Sequence, residues 1–222
     1  MTVNDTQVAV RLADVRARIR AAGADPDAVK VVAVTKGFGV EAVEAAVAVG
    51  LTDIGENYAQ ELIEKHGAVG ARVRWHFLGS IQRNKVRRLA PMVDVWQSID
   101  RVAAGRAVAA QAPGARVLVE VNTSGEASKG GCWPAEAAQL VDALGTMGLD
   151  VDGLMTVGPA GPAEGTRPGF AELAALARRL GLAELSMGMS NDLEVAVQEG
   201  ATMVRIGTAL FGPRPGSQAT IG

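Results

Sequence analysis

Lys30-Val31-Val32-Ala33-Val34-Thr35-Lys36, followed by Val40-Glu41-Ala42-Val43-Glu44-Ala45-Ala46-Val47-Ala48-Val49, carries the pattern that decides the fold. The first run is apolar and β-branched without alternation, which is how a strand buried on both faces reads. The second places its apolar residues at helical spacing. A buried strand followed closely by a helix is one βα unit, and the unit recurs outward from here along the chain. Further strands are expected over 53–57, 74–79, 93–99, 116–122, 151–157, 184–189 and 202–206. Helices are expected between them over 58–66, 82–89, 101–111, 134–144, 170–180 and 192–198, and an amphipathic helix over 6–22 precedes the first strand. Phe170, Leu173, Leu176, Ala177 and Leu180 share one face of the helix that begins at 170.

Eight strands alternating with helices imply parallel strands joined by helical crossovers. Eight such units suit an α/β architecture closed as a (β/α)8 TIM-type barrel, with an open doubly wound sheet as the alternative. The Gly-rich connections 124–131 and 158–169, the second with three prolines, are expected to be mobile. No linker interrupts the pattern, so 1–222 is read as a single domain.

At 222 residues the chain is short for a barrel, and 48% hydrophobic with 21% charged residues it can bury a large core. A net charge of -2 argues against nucleic-acid or membrane-surface binding driven by charge. No basic start leads into an apolar segment, and no apolar run is long enough to span a bilayer. A lone cysteine, Cys132, excludes an internal disulfide framework and a cysteine-based zinc cluster. A cytoplasmic monomer with no nucleic-acid, membrane or metal partner is therefore expected.

In such barrels the chemistry sits where the strands end, because the βα loops converge there on one mouth. The expected strand ends carry Lys36, Asn57, His76, Ser98, Asn122, Thr156, Ser190 and the segment Arg205-Ile206-Gly207-Thr208. A lysine closing an apolar strand is partly desolvated, which lowers its pKa and favours the neutral amine that attacks a carbonyl. The alternative is a lysine that snorkels to solvent. Ser186-Met187-Gly188-Met189-Ser190-Asn191-Asp192 joins a strand to a helix, and any of its last three residues can cap that helix. Exposed N–H groups there, and again after Arg205, make two anion-binding loops after the seventh and eighth strands, where barrel phosphate sites are built. An amine at the first strand opposite a phosphate cradle describes a site for a phosphorylated aldehyde, either a sugar phosphate or pyridoxal 5'-phosphate (PLP). Arg205 leans toward PLP, as a partner for its pyridine nitrogen.

With these residues quoted, the chain resembles the pyridoxal phosphate homeostasis proteins, single-domain relatives of the alanine racemase N-terminal domain. The resemblance runs from the first helix to Pro213. It is carried by Val32-Ala33-Val34-Thr35-Lys36, Gly55-Glu56-Asn57-Tyr58, Trp75-His76-Phe77-Leu78-Gly79, Gln82-Arg83-Asn84-Lys85, the segment 186–192 and the segment 204–212. It implies that Lys36 forms a Schiff base with PLP. Ser190, Gly207 and Thr208 would then bind the phosphate, Arg205 would face the pyridine nitrogen, and Asn57, His76 and Met189 would line the pocket. The implied role is keeping PLP and amino-acid pools in balance by carrying or buffering PLP, with PLP-dependent apoenzymes as conceivable recipients and no turnover expected. Gly37 and Gly130-Gly131 depart from the family pattern and touch loop mobility more than cofactor contacts.

The alternative is a PLP-dependent racemase or lyase. A racemase needs two bases on opposite faces of its substrate, and in the barrel racemases the second is a tyrosine from an additional domain for which the sequence leaves no room after the last strand. The sole tyrosine here is Tyr58. An arginine at the pyridine nitrogen also disfavours its protonation and weakens the cofactor as an electron sink. A class I aldolase acting on a sugar phosphate is the third reading. Of the remaining residues, His66 reads as exposed, and Arg83, Lys85, Arg87 and Arg88 as a solvated basic face or else a docking surface. Glu56 reads as an ordinary helix-start carboxylate, and an orienting role for it as second choice. Cys132 reads as unactivated, Pro134 as standing near the start of a helix, and Lys85 and Lys129 as conceivable secondary PLP sites.

Overall fold

The computed structural model describes residues 3–214. Helix α1 (Asp5–Ala21) leads into β1 (Lys30–Val34), α2 (Val40–Ala48), β2 (Asp53–Glu56), α3 (Ala59–Val69) and β3 (Arg74–Phe77). Then come α4 (Arg83–Leu89), β4 (Val95–Ile99), α5 (Val102–Ala109), β5 (Arg116–Glu120), α6 (Ala137–Thr146) and β6 (Asp150–Met155). The last units are α7 (Arg167–Leu180), β7 (Glu184–Ser186), α8 (Leu193–Gln198), β8 (Met203–Ile206) and α9 (Thr208–Phe211). The strands hydrogen-bond in chain order, all parallel, and the sheet closes where Val32 of β1 pairs with Arg205 of β8. The expected eight-stranded barrel is therefore present, and the open sheet is not.

Strand alternation divides the apolar residues into two sets. Val31, Ala33, Ile54, Trp75 and Trp96 join the core shared with the helices, together with Leu62, Val86, Val108 and Phe170. Val95, Leu118 and Met155 form a smaller cluster of their own. Much of the remaining interior is polar: His76, Gln97 and Ser186 are fully buried and Arg205 is 6% exposed.

Several boundaries differ from expectation, each for a local reason. Strand β1 stops at Val34, two residues before Lys36, and β3 stops at Phe77, two before Gly79. Helix α6 begins at Ala137, because Glu136 N–H bonds to Trp133 C=O (2.9 Å) and Pro134 lies inside that turn, outside the helix. Helix α7 begins at Arg167 with Pro168 in its first turn, where a missing N–H costs nothing. A 3-10 turn, Ala163–Thr166, precedes it, so much of the 158–169 connection is helical. Helix α9 was not anticipated. The extra helix α1 packs on α8, α9 and α2, and its Asn4 cap accepts from Thr6 N–H at 2.8 Å.

Candidate functional site

At the mouth of the barrel lies a cavity of about 680 Å³, walled by Lys36, Asn57, Met189, Ser190, Arg205, Gly207 and Thr208, with Glu120, Lys129, Asn191, Asp192 and Arg214 among its other neighbours. Seven of the eight cofactor residues expected from the sequence thus meet in one place; His76 is not in the wall.

Lys36 occupies a turn. Phe38 N–H bonds to Thr35 C=O (3.0 Å), and Gly37 has φ +76°. A four-residue turn with a left-handed third position is the type II arrangement, which calls for glycine there. Gly37, a departure from the family pattern at first sight, is thus a conformational requirement of the turn that presents Lys36. The Lys36 side chain is half-buried and makes no hydrogen bond among the described residues. Burial lowers its pKa, the charges of Arg214 and Arg205 lower it further, and Glu56 opposes them. This is the environment that makes a lysine a nucleophile toward a carbonyl.

Opposite stand the two loops after β7 and β8. Ser190 does not cap α8; its Oγ accepts the N–H of Ala209 (3.0 Å) in α9, which ties the two loops together. Asp192 Oδ1 accepts Met189 N–H (2.6 Å) and closes the first loop on itself. Gly188 has φ +92°, and a Cβ there would stand 2.4 Å from that of Ala196, so both conformation and space demand glycine. Arg18 of α1 holds the same loop from outside: its guanidinium pairs with both Glu194 oxygens (2.6 and 2.8 Å) and donates to Ser190 C=O (2.9 Å).

Arg205 reaches the cavity from the barrel interior and is fixed by acceptors below it. Its Nη1 donates to Ser186 C=O (2.7 Å) and Oγ (2.8 Å), and its Nη2 to Thr156 C=O (2.7 Å). Ser186 donates to Gln97 Oε1 (2.6 Å), Gln97 Nε2 meets His76 Nδ1 (2.7 Å), and His76 Nε2 meets Asp53 Oδ1 (2.8 Å). The directions follow from Asp53, which as a carboxylate only accepts. His76 must carry its proton on Nε2, its Nδ1 must accept from the Gln97 amide, and the Gln97 carbonyl must face Ser186. Burial depresses the His76 pKa, consistent with this neutral tautomer. Burial also pulls Arg205 down to about 10, which leaves it cationic at neutral pH. The pocket-lining reading of His76 is corrected: both ring nitrogens are engaged in the chain of bonds beneath Arg205.

Other expected strand-end polar residues serve the loops. Thr156 donates to Val121 C=O (2.7 Å), Ser98 to Gly79 C=O, and Asn122 to Glu126 C=O (2.9 Å). Glu56 is not a helix-start carboxylate. It ends β2, is fully buried, and binds Lys65 Nζ and Thr35 Oγ1 through Oε1, both at 2.6 Å. His66 is half-buried against Trp75 rather than free in solvent. Arg83, Arg87 and Arg88 are exposed and, like Lys85, lie outside the cavity wall, whereas Lys129 is in it. Burial pushes the Cys132 thiol up to about 11, so it stays protonated. Sequence reasoning passed over Glu120, which ends β5 facing the cavity; its two-residue spacing from inward Leu118 was the available signal. Among the described residues no group of His, Cys, Asp and Glu is placed to hold a metal ion, and no helix is long and apolar enough to cross a membrane.

Comparison with known proteins gives three findings. Residues 10–215 match the model of the alanine racemase N-terminal domain. A pyridoxal phosphate homeostasis protein of Pseudomonas aeruginosa is 43% identical over 220 residues, spanning 93% of this chain and 96% of its own length. PipY of Synechococcus elongatus, solved both without and with PLP, covers 92% of this chain and 100% of its own, with TM-scores of 0.84 and 0.79 at 33% and 32% identity.

Proposed function

The chain belongs to the pyridoxal phosphate homeostasis proteins, within the family of the alanine racemase N-terminal domain, and from that premise we propose that it binds PLP in the barrel-mouth cavity and serves intracellular PLP homeostasis. The observation that carries the reading is the meeting of a half-buried lysine amine, a fixed arginine and two joined hydroxyl-bearing loops around one cavity. PLP supplies an aldehyde for an amine, a phosphate and a pyridine nitrogen. Lys36 would hold the aldehyde carbon covalently. Ser190, Gly207 and Thr208 would hold the phosphate. Asn57 Oδ1, buried without a hydrogen-bond partner among the described residues, is an acceptor still to be matched by a donor of a bound group.

Arg205 would face the pyridine nitrogen. A guanidinium that is charged at neutral pH resists placing a second positive charge beside it, so the ring would stay a weak electron sink. Tyr58 is 56% exposed and outside the cavity wall, so it offers no second base there. These features favour holding and releasing PLP over racemase or lyase chemistry. A role in the cytoplasm, as a monomer handing PLP to apoenzymes, fits this reading.

The protein as purified should be yellow, and borohydride should fix PLP on Lys36. A Lys36→Ala variant that kept the same visible band would overturn the assignment. Steady turnover of amino acids by the wild type, abolished in Lys36→Ala, would favour the enzymatic reading instead.

A further inference from the structure

The turn that presents Lys36 rests on an ion cluster with no assigned role. Lys65 of α3 is 3% exposed, and its Nζ donates to Thr35 C=O (2.8 Å), Glu56 Oε1 (2.6 Å) and Glu61 Oε2 (3.2 Å). An ammonium has three donors, and all three are used. Glu61 Oε2 also accepts Gly37 N–H (2.8 Å), and Glu56 Oε1 also accepts the Thr35 hydroxyl (2.6 Å). The residue before Lys36 is therefore held by its carbonyl and hydroxyl, and the residue after it by its N–H.

We infer that Lys65, Glu56 and Glu61 form a positioning device for Lys36, fastening the backbone on both sides of it. The inference rests on the reading of Lys36 as the PLP anchor. A buried ion pair is a poor source of stability, since well-packed apolar residues often do as well. Its value lies in fixed geometry, and every bond of this one ends within one residue of Lys36 or on a group that itself holds such a residue. Lys65 does not exhaust Glu56, whose Oε2 is buried without a partner among the described residues. The charged groups that bear on Lys36 are Arg205 from β8 and Arg214 beyond α9, which repel its ammonium, and Glu56 from β2, which stabilises it. Glu120, Lys129 and Asp192 share the cavity wall. Glu56 opposes the two arginines only in part, and the Lys36 amine stays below its ordinary pKa.

The test uses the full-length protein, stripped of PLP for one measurement and loaded for the other. The first is the pH midpoint of Lys36 acylation, read by peptide mass spectrometry. The second is the rate at which the visible band of bound PLP decays in the presence of a trapping amine. In Glu56→Gln/Lys65→Met, which removes the buried pair together and leaves only the part-exposed Glu61 without its lysine, the midpoint should fall below that of the wild type as the carboxylate is lost. PLP release should quicken about tenfold, the scale of one hydrogen bond to a charged group. In Glu61→Ala, a change nearer the surface, release should quicken about threefold with the midpoint unmoved. A purely structural cluster would change thermal stability and leave the Lys36 midpoint where it is. Folded variants with wild-type midpoint and release overturn the inference; if the double variant does not fold, unaltered release in Glu61→Ala overturns it alone. Borohydride fixation on wild-type Lys36 separates the two readings. Its absence overturns the cofactor assignment, and its presence with unmoved variants overturns only the positioning role.

Discussion

Replacing Glu120 by glutamine keeps the shape of the side chain and removes what its site resists, a negative charge. Glu120 ends β5 against the cavity, where burial raises its pKa to about 7; the nearby Asp100 adds to the rise and Arg205 opposes it. In the unfolded chain the same carboxyl titrates near its ordinary value of 4.5. The folded-state pKa is the higher one, so between these values the folded protein binds the extra proton. Stability then falls as pH rises from 4.5 to 7, and the penalty is complete above 7. At 1.36 kcal/mol per unit the shift is worth about 3 kcal/mol, and partial solvent access trims this to roughly 2 kcal/mol.

Glu120→Gln does not titrate, so it should match the wild type near pH 4.5 and exceed it by about 2 kcal/mol at pH 8. Urea unfolding at a series of pH values measures the difference, and titrations common to both proteins cancel in it. A difference that stays constant with pH, or a wild type that gains on the variant as pH rises, would refute the reasoning. The same titration adds a negative charge to the cavity wall. Affinity for a phosphorylated ligand should therefore drop through pH 7 more steeply in the wild type than in Glu120→Gln.

Gln97→Leu strips the acceptor from Ser186 and the donor from His76 Nδ1, two buried groups; at about 1–3 kcal/mol for each unmatched group, a loss of roughly 2–6 kcal/mol is expected by chemical denaturation, and an unchanged midpoint would count against the bonded chain. His76 has a depressed folded-state pKa, so its contribution is present above about 6.5 and is lost as pH falls below it; the stability gap between wild type and His76→Leu should narrow over that range, and a gap that widens would contradict the neutral tautomer. Arg18→Met frees the Ser190 carbonyl and Glu194. It should weaken PLP about tenfold and leave pyridoxal, which lacks the phosphate, unaffected; equal losses for both would remove Arg18 from the phosphate site.

The barrel was legible because a parallel sheet buried on both faces leaves unbroken apolar runs, and Val31 to Val34 is one of them. Most of the cavity wall was legible too, because strand ends on one rim must converge. What failed was depth along the strand. His76 lies inside β3 (Arg74–Phe77), and reading that strand on to Gly79 did not reveal that its ring turns down toward Asp53. Glu56 failed on its surroundings: the strand expected over 53–57 already contains it, yet as a helix-start carboxylate it reads as solvated, whereas as the last residue of β2 it is buried and needs a cation. Lys65, nine positions on, supplies it only because α3 packs back over the β1 exit, and that packing is invisible in a helical wheel.

The polar interior carries the same lesson further. Alternation with period two shows that Leu118 and Glu120 share a face, but not which residues of other strands stand level with them, because barrel strands are staggered. The chain from Asp53 through His76, Gln97 and Ser186 to Arg205 draws on β2, β3, β4, β7 and β8. Each member alone is an unremarkable polar residue in an apolar strand. Closure of the sheet gives each one its partner, and the acceptor-only carboxylate of Asp53 then dictates every proton up to the arginine. The orientation of Arg205, the residue proposed to face the pyridine nitrogen, is therefore a property of the closed barrel rather than of any local stretch of the chain.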